Sequence, residues 1–221
     1  MIPNPKHRVF IVDDHPLVRE GLQKLINQET DMMVSGEAED STEALARIEV
    51  APPDVVIVDL SLQGESGFDL IARLGQLARP PKTLVLSMHD EAHYAERALR
   101  AGASGYVMKR ETTSNIIRAI REIMSGGVFM SAATAALMAK RFVGIGRSLA
   151  VSPIERLSNR ELEVFQRIGR GQETRFIAQE LHLSLKTVQT HCAHIKEKLG
   201  LENATALMHA AVQWTEIEKR A

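Results

Sequence analysis

Residues 55–59 read Val55-Val56-Ile57-Val58-Asp59. Four apolar residues in succession do not alternate as a half-exposed strand would, so they predict a strand buried on both faces. Such strands belong to parallel sheets covered by helices on each side, and an acid closes this one. Working outward, the same kind of run recurs at Val9-Phe10-Ile11-Val12, Met32-Met33-Val34, Thr83-Leu84-Val85-Leu86 and Gly105-Tyr106-Val107-Met108. The intervening segments carry apolar residues three and four apart, the spacing of one helix face. Leu17, Val18, Leu22, Leu25 and Ile26 form one such set, and Ile116, Ile117, Ile120, Ile123 and Met124 another. Pro16 falls where a first helical turn tolerates it. Strand followed by helix five times predicts an α/β fold, a doubly wound five-stranded parallel sheet.

The pattern stops at Ser125-Gly126-Gly127, a helix terminator. Residues 131–142 predict one short helix, and Gly144 to Pro153 mixes breakers with small residues as a flexible linker does. From Ser158 every signal is helical. Ser158 and Glu161 form a capping box, followed by Leu162, Phe165 and Ile168 on one face before Gly171. A second helix carries Ile177, Ala178 and Leu181. After His182-Leu183, Ser184 caps a third helix with Val188, Cys192, Ile195 and Leu199 inward, and a fourth runs from Ala204 to Trp214. Two short helices joined by a tight turn make a helix-turn-helix pattern in a small all-α domain. The organisation expected is an α/β domain over residues 6–127, a linker with a short helix over 128–153, and the helical domain over 154–217.

A chain of 221 residues suits two domains of common size. The single cysteine, Cys192, excludes an intramolecular disulfide framework and a cysteine-built zinc cluster, so a reducing, cytoplasmic setting is expected. No apolar run approaches the roughly 20 residues of a membrane span, and the N-terminus lacks a secretory pattern. The net charge of −1 hides an asymmetry. Residues 1–127 hold 14 Lys and Arg against 19 Asp and Glu, whereas residues 128–221 hold 13 against 9. A basic second half suits nucleic acid without proving it.

Asp13-Asp14 follows the first strand and Asp59 ends the third. In a doubly wound sheet the strand C-termini meet at the crevice where ligands bind. Three carboxylates there are costly unless a cation neutralises them, and an all-oxygen site with few protein ligands suits Mg²⁺. Ser87 ends the fourth strand and Lys109 follows the fifth; a hydroxyl and an ammonium aimed at the same crevice serve an anion, as phosphoryl transfer requires. Each residue has a plainer role taken alone: helix capping for Asp13 and Asp14, a turn for Ser87, a solvated surface for Lys109. Their succession at four strand ends favours chemistry.

The stretch Asp13-Asp14-His15-Pro16-Leu17-Val18-Arg19-Glu20-Gly21-Leu22, together with Val58-Asp59-Leu60 and Arg100-Ala101-Gly102-Ala103-Ser104-Gly105-Tyr106-Val107-Met108-Lys109, resembles the flavodoxin-like receiver domain of NarL/FixJ-type response regulators. The resemblance implies that Asp59 accepts a phosphoryl group from a sensor histidine kinase. It implies that Asp14, Asp59 and the Ser61 carbonyl ligate Mg²⁺ directly, with Asp13 acting through water. Lys109 would pair with phosphoryl oxygens, Ser87 would hydrogen-bond one of them, and Tyr106 would change rotamer as the switch. Ser61 and His89 fall at positions that tune phosphoryl lifetime in receivers. Leu62-Gln63-Gly64 departs from the family, which usually has proline in place of Gln63.

Leu157-Ser158-Asn159-Arg160-Glu161-Leu162-Glu163-Val164, Ile177-Ala178, Leu183-Ser184-Leu185-Lys186-Thr187-Val188-Gln189-Thr190-His191 and Lys198-Leu199-Gly200 resemble the LuxR-type helix-turn-helix. The third helix of such domains enters the major groove of double-stranded DNA. Its outward residues here are Lys186, Thr187, Gln189, Thr190, Ala193 and His194. Gln189 stands where the family usually has lysine, and Thr174-Arg175-Phe176 replaces its usual Asn-Lys-Glu. Gln189 is expected to read an adenine edge, with a solvated helix face as the plain alternative. His191 and His194 are expected to be structural or phosphate-contacting and not metal ligands, with no carboxylate or cysteine arranged around them. The whole predicts a transcription regulator, not an enzyme, that binds promoter operators under phosphorylation control. It would act as a homodimer when phosphorylated, with RNA polymerase a possible further partner and no membrane contact. A first domain that serves only as a docking surface is the alternative, opposed by the intact acid site.

Overall fold

The computed structural model describes residues 6–62, 66–111, 113–142, 153–181 and 183–220. Gln63 and Gly64 of the departing loop, His182 and residues 143–152 of the expected linker lie outside the described residues. The chain divides into two compact units, Met1–Ile145 and Gly146–Ala221.

The first unit alternates β1 (His7–Val12), α1 (Pro16–Asn27), β2 (Met32–Ala38), α2 (Ser41–Val50), β3 (Val55–Val58), α3 (Gly67–Leu74), β4 (Lys82–Ser87), α4 (Glu91–Ala101), β5 (Gly105–Met108) and α5 (Thr113–Met124), then ends with α6 (Ala132–Phe142). The strands are parallel in the order β2-β1-β3-β4-β5, which is the doubly wound sheet expected. Alternate strand residues point to opposite faces. Val9, Ile11, Val55, Ile57, Leu84, Leu86 and Val107 pack with Leu22 and Ile26 of α1 and Ile116, Ile120 and Ile123 of α5. Phe10, Val12, Val56, Val58, Val85 and Tyr106 are equally buried on the other face, the side of α2, α3 and α4.

Helix boundaries follow local chemistry. Pro16 opens α1, Asp40 caps α2 through the Glu43 N–H, Ser66 caps α3, and Asp90 caps α4 through the Ala92 N–H. Gly102 ends α4 at φ +112°, a backbone region that side chains avoid.

The outer strand β2 is four residues longer than its apolar run suggested, and it is irregular. Val9 pairs with Val34 but Phe10 pairs with Gly36, so Ser35 is an extra residue whose hydroxyl donates to the Val9 carbonyl. Glycine at position 36 leaves room for the Phe10 ring, since a Cβ there would stand 2.6 Å from it and something would have to shift. At the other border, Phe129 makes a parallel bridge to Gly105. Its carbonyl accepts from the Tyr106 N–H (2.8 Å) and its N–H donates to Ser104 (3.1 Å).

The second unit holds a 3-10 turn (Pro153–Arg156), α7 (Asn159–Gly169), α8 (Thr174–Glu180), α9 (Leu185–Leu199) and α10 (Ala204–Arg220). Leu157, Leu162, Phe165, Ile168, Ile177, Leu181, Val188, Ile195, Leu207 and Ala211 are buried. Both bonds of the Ser158–Glu161 capping box are made, and Ser184 caps α9 through the Thr187 N–H. Two expectations shift. Cys192 and Leu199 are half-buried beside the fully buried Val188 and Ile195. The helix predicted to stop at Trp214 continues to Arg220, because residues 215–220 contain no breaker and are rich in helix formers. Among the described residues no helix is long and apolar enough to cross a membrane.

Candidate functional site

Adjacent strands β1, β3, β4 and β5 end at one edge of the sheet and deliver Asp13, Asp59, Ser87 and Lys109 there. The ladder continues through the site: Asp59 N–H donates to Val12 and Lys109 N–H to Ser87, which fixes the backbone beneath each side chain. Asp13 and Asp59 are 2% and 3% exposed, and Ser87 is fully buried. Asp13, Asp14, His15 and Asp59 each offer a ligand atom, all within 4.8 Å of one another.

Lys109 is the internal counter-ion. Its Nζ lies 2.7 Å from Asp13 Oδ2 and 2.7 Å from Asp59 Oδ2. Burial drives the Asp59 carboxyl above the usual carboxylate range, and Lys109 only partly opposes this. Burial pulls the Lys109 ammonium down, but the carboxylates of Asp59 and Asp13 together outweigh it and hold it above its ordinary value. The remaining carboxylate oxygens are unevenly served. Asp13 Oδ1 accepts from the His15 N–H (2.9 Å) and Asp59 Oδ1 from the Ser61 N–H (3.2 Å). Asp14 Oδ1 is buried and accepts no hydrogen bond, although His15 Nδ1 stands 2.5 Å away in a contact that is ionic only when the imidazole is protonated. A buried anionic oxygen without a donor, in a group of three carboxylates, fits a hard divalent cation.

The Ser87 hydroxyl accepts from the His89 N–H at 3.2 Å. Tyr106 lies with its ring buried and its hydroxyl donating to the His89 carbonyl at 2.9 Å; burial raises the phenol above its ordinary pKa. The His89 ring stacks on Tyr94 with centroids 4.4 Å apart, and its Nε2 reaches the Ser61 hydroxyl at 3.1 Å. Ser61 and His89, separate in sequence, thus meet beside the acid cluster.

Two supporting residues were missed. The Arg19 side chain, 8% exposed, donates to the Asp13 carbonyl (2.6 Å) and to Glu39 (2.7 Å), bracing the acid pair from below. Its spacing of three and seven from Leu22 and Ile26 places it on the buried face of α1, a signal that was available. Gly67 approaches the Asp59 backbone so closely that a Cβ would fall 2.3 Å from the Asp59 carbonyl oxygen.

On α9, Val188 and Ile195 face inward while Lys186, Gln189, Thr190, Ala193 and His194 are exposed, as expected of a surface-reading helix. Thr187 is half-buried, its hydroxyl 2.8 Å from that of Ser184. The expectation that no carboxylate surrounds the histidines is wrong: His194 Nδ1 lies 3.7 Å from Glu161 Oε1. Glu161 closes the capping box at the start of α7, which packs against α9, and its other oxygen holds Lys198 at 2.6 Å. Burial works against the Glu161 charge, but hydrogen bonds from Lys198 and Ser158 outweigh it and lower its pKa. Burial lowers the pKa of His191, whose Nδ1 has no hydrogen-bond partner.

Residues 9–121 match the response regulator receiver domain, and residues 155–211 match the LuxR family of bacterial regulatory proteins. This chain is a two-component response regulator. It joins a receiver to a LuxR-type DNA-binding domain and regulates transcription. The regulator is 33% identical over 211 residues to the oxygen regulatory protein NreC of Staphylococcus epidermidis, covering 93% of this chain and 97% of that one. It is similar in structure to RcsB of Salmonella typhimurium, with 26% identity, a TM-score of 0.66, and coverage of 95% and 98%. An RcsB structure from Salmonella enterica serovar Typhimurium bound to a promoter in the presence of phosphomimetic BeF3− is 28% identical with a TM-score of 0.57, covering 93% of this chain and 97% of that one.

Proposed function

We propose that Asp59 is the phosphoacceptor of a receiver spanning residues 6–127, and that its phosphorylation by a sensor histidine kinase controls operator binding by residues 154–217 across the 128–153 linker. The observation that carries this reading is one ammonium, Lys109, bridging two buried carboxylates beside an Asp14 oxygen that has no donor. Asp13, Asp14, Asp59 and the Ser61 carbonyl would hold Mg²⁺. Bound there, the cation would offset negative charge on the carboxylates and on an incoming phosphoryl group.

The chain's own residues do the rest. An Asp59 carboxylate oxygen attacks phosphorus as the donor's P–N or P–O bond breaks, forming an acyl phosphate and releasing the donor with its electron pair. Lys109 transfers its ion pair from the Asp59 carboxylate to a phosphoryl oxygen, where it meets the charge the aspartate has lost. The Ser87 hydroxyl donates to another of those oxygens. That movement displaces the corner that supports His89, and Tyr106, tied to the His89 carbonyl, changes rotamer with it. On DNA, Lys186, Thr187, Gln189, Thr190, Ala193 and His194 line the major groove. The regulator would bind paired half-sites as a homodimer when phosphorylated; RcsB dimers bound to two parallel DNAs support the dimer. RNA polymerase is a further partner of such a regulator, and the cytoplasm is its setting.

The test is incubation of wild type and Asp59→Ala with a small phosphodonor and Mg²⁺, reading intact mass and DNA binding together. Gain of one phosphoryl group by the wild type alone, with tighter DNA binding, is expected. Equal labelling of Asp59→Ala rejects the assignment.

A further inference from the structure

The corner that leaves β4 carries a buried acid with no part in the acid cluster. Glu91, the first residue of α4, is 3% exposed, and its Oε1 accepts a hydrogen bond from the Ser131 backbone N–H at 2.6 Å. Ser131 is the residue at which α6 begins: its hydroxyl accepts from the Thr134 N–H and its carbonyl from the Ala135 N–H. The Glu91 carboxylate therefore serves an otherwise unpaired donor at the positive end of α6. Two residues earlier the same segment is pinned again, where the Phe129 carbonyl accepts from the Tyr106 N–H.

The chain entering α6 is thus tied to two elements of the receiver, at Tyr106 on β5 and at Glu91 on α4. Both ties lie next to the groups that would respond to a phosphoryl group. Glu91 follows Ser87 by four residues, and the Tyr106 hydroxyl is held by the carbonyl of His89 between them. When Ser87 moves toward Asp59, the 87–91 corner moves with it, and a 2.6 Å bond to a helix start does not stretch freely.

We propose that Glu91 is a positioning residue for α6, docking it on α4 and making its placement follow the state of the β4–α4 corner. This rests on the reading of Asp59 as the phosphoacceptor. Through Glu91 that state reaches the segment that leads on to the DNA-binding domain.

The experiment uses the full chain as wild type, Glu91→Ala, Glu91→Gln and Ser131→Pro. Three quantities are read with and without phosphodonor and Mg²⁺: intact mass, hydrogen exchange of the 131–135 amides, and DNA affinity. In Glu91→Ala, exchange at these amides is expected to rise about tenfold or more, as loss of a charge-assisted bond implies. The mass gain is expected to persist, and the phosphorylation-dependent change in DNA affinity to shrink to near none. Glu91→Gln keeps an oxygen that accepts the same bond and is expected to restore both. Ser131→Pro removes the donor while leaving Glu91 in place, and it decides the matter if Glu91→Ala does not fold. Unchanged exchange in both bond-breaking variants overturns the docking. Raised exchange with an undiminished phosphorylation response overturns the coupling. Absence of a mass gain on the wild type instead refutes the phosphoacceptor reading and the coupling with it, while the exchange measurement still judges the docking.

Discussion

Replacing Lys109 with methionine preserves most of the stem's packing and removes the ammonium that, among the described residues, touches both Asp13 and Asp59. The two carboxylates, each with a side chain 3% exposed, then face each other with ligand oxygens no more than 4.8 Å apart. At an effective dielectric constant of about 20, two unit charges at that distance repel by roughly 3–4 kcal/mol. Breaking buried pairs by removing one partner costs about 3–5 kcal/mol. A loss near 3 kcal/mol corresponds to a fall in Tm of roughly 10 °C for a domain of this size. The loss depends on pH, and the sign is fixed by Asp59. Its carboxyl is already raised above the unfolded value by burial against the partial opposition of Lys109, and removing that ammonium raises it further. The penalty for ionised Asp59 is therefore incurred as pH climbs past the unfolded carboxyl pKa and is complete above the folded one. The variant is weakest at alkaline pH, and it recovers at acid pH as a proton takes the place of the ammonium. Mg²⁺ is expected to raise the Tm of Lys109→Met more than that of wild type, where Lys109 competes for the same oxygens. Thermal denaturation at alkaline and acid pH, with and without Mg²⁺, checks this. Equal Tm for the two proteins at alkaline pH without divalent ions, or equal Mg²⁺ shifts, refutes the reasoning.

Gly67→Ala inserts a methyl group 2.3 Å from the Asp59 carbonyl oxygen, so phosphorylation should slow about tenfold or more with helix content retained; an unchanged rate by intact mass removes the close approach from the account. Gln189→Ala should weaken operator binding by about 1–3 kcal/mol and random DNA far less, and an equal loss on every sequence in gel-shift titrations rules out base reading. Glu161→Gln should cost the helical domain about 1–2 kcal/mol at neutral pH through the charge-assisted Lys198 bond, since glutamine keeps the oxygen that closes the capping box. Because the Glu161 pKa is lowered in the folded state, its contribution is present above the unfolded glutamate value and fades as pH falls through the folded one. Urea midpoints should therefore converge in acid, and a gap that persists there counts against the pairing.

The parallel sheet was legible because its three inner strands, β1, β3 and β4, are covered on both faces and so carry nearly unbroken apolar runs. The acid cluster was legible for a related reason: parallel strands that end together gather whatever residues close them, so Asp13, Asp59, Ser87 and Lys109 could be placed from order alone. β2 was read short because its second half, Ser35-Gly36-Glu37, lies at the border and has only one side to bury. The Glu161–His194 contact and the Glu91–Ser131 bond were not legible, since each joins elements remote in sequence whose approach depends on helix packing. Gly67 resembled any loop glycine; its meaning lies in a backbone that passes beside it.

The irregular outer strand has a consequence for the molecule's life in a crowded cell. A straight border strand offers its idle amides and carbonyls to any neighbour, including nascent copies of the same chain. The extra residue Ser35 coils that border and sends its hydroxyl inward to Val9, so a second copy finds no continuous template to zip onto. Shortening the chain by that one serine would straighten the border and open it to pairing between copies.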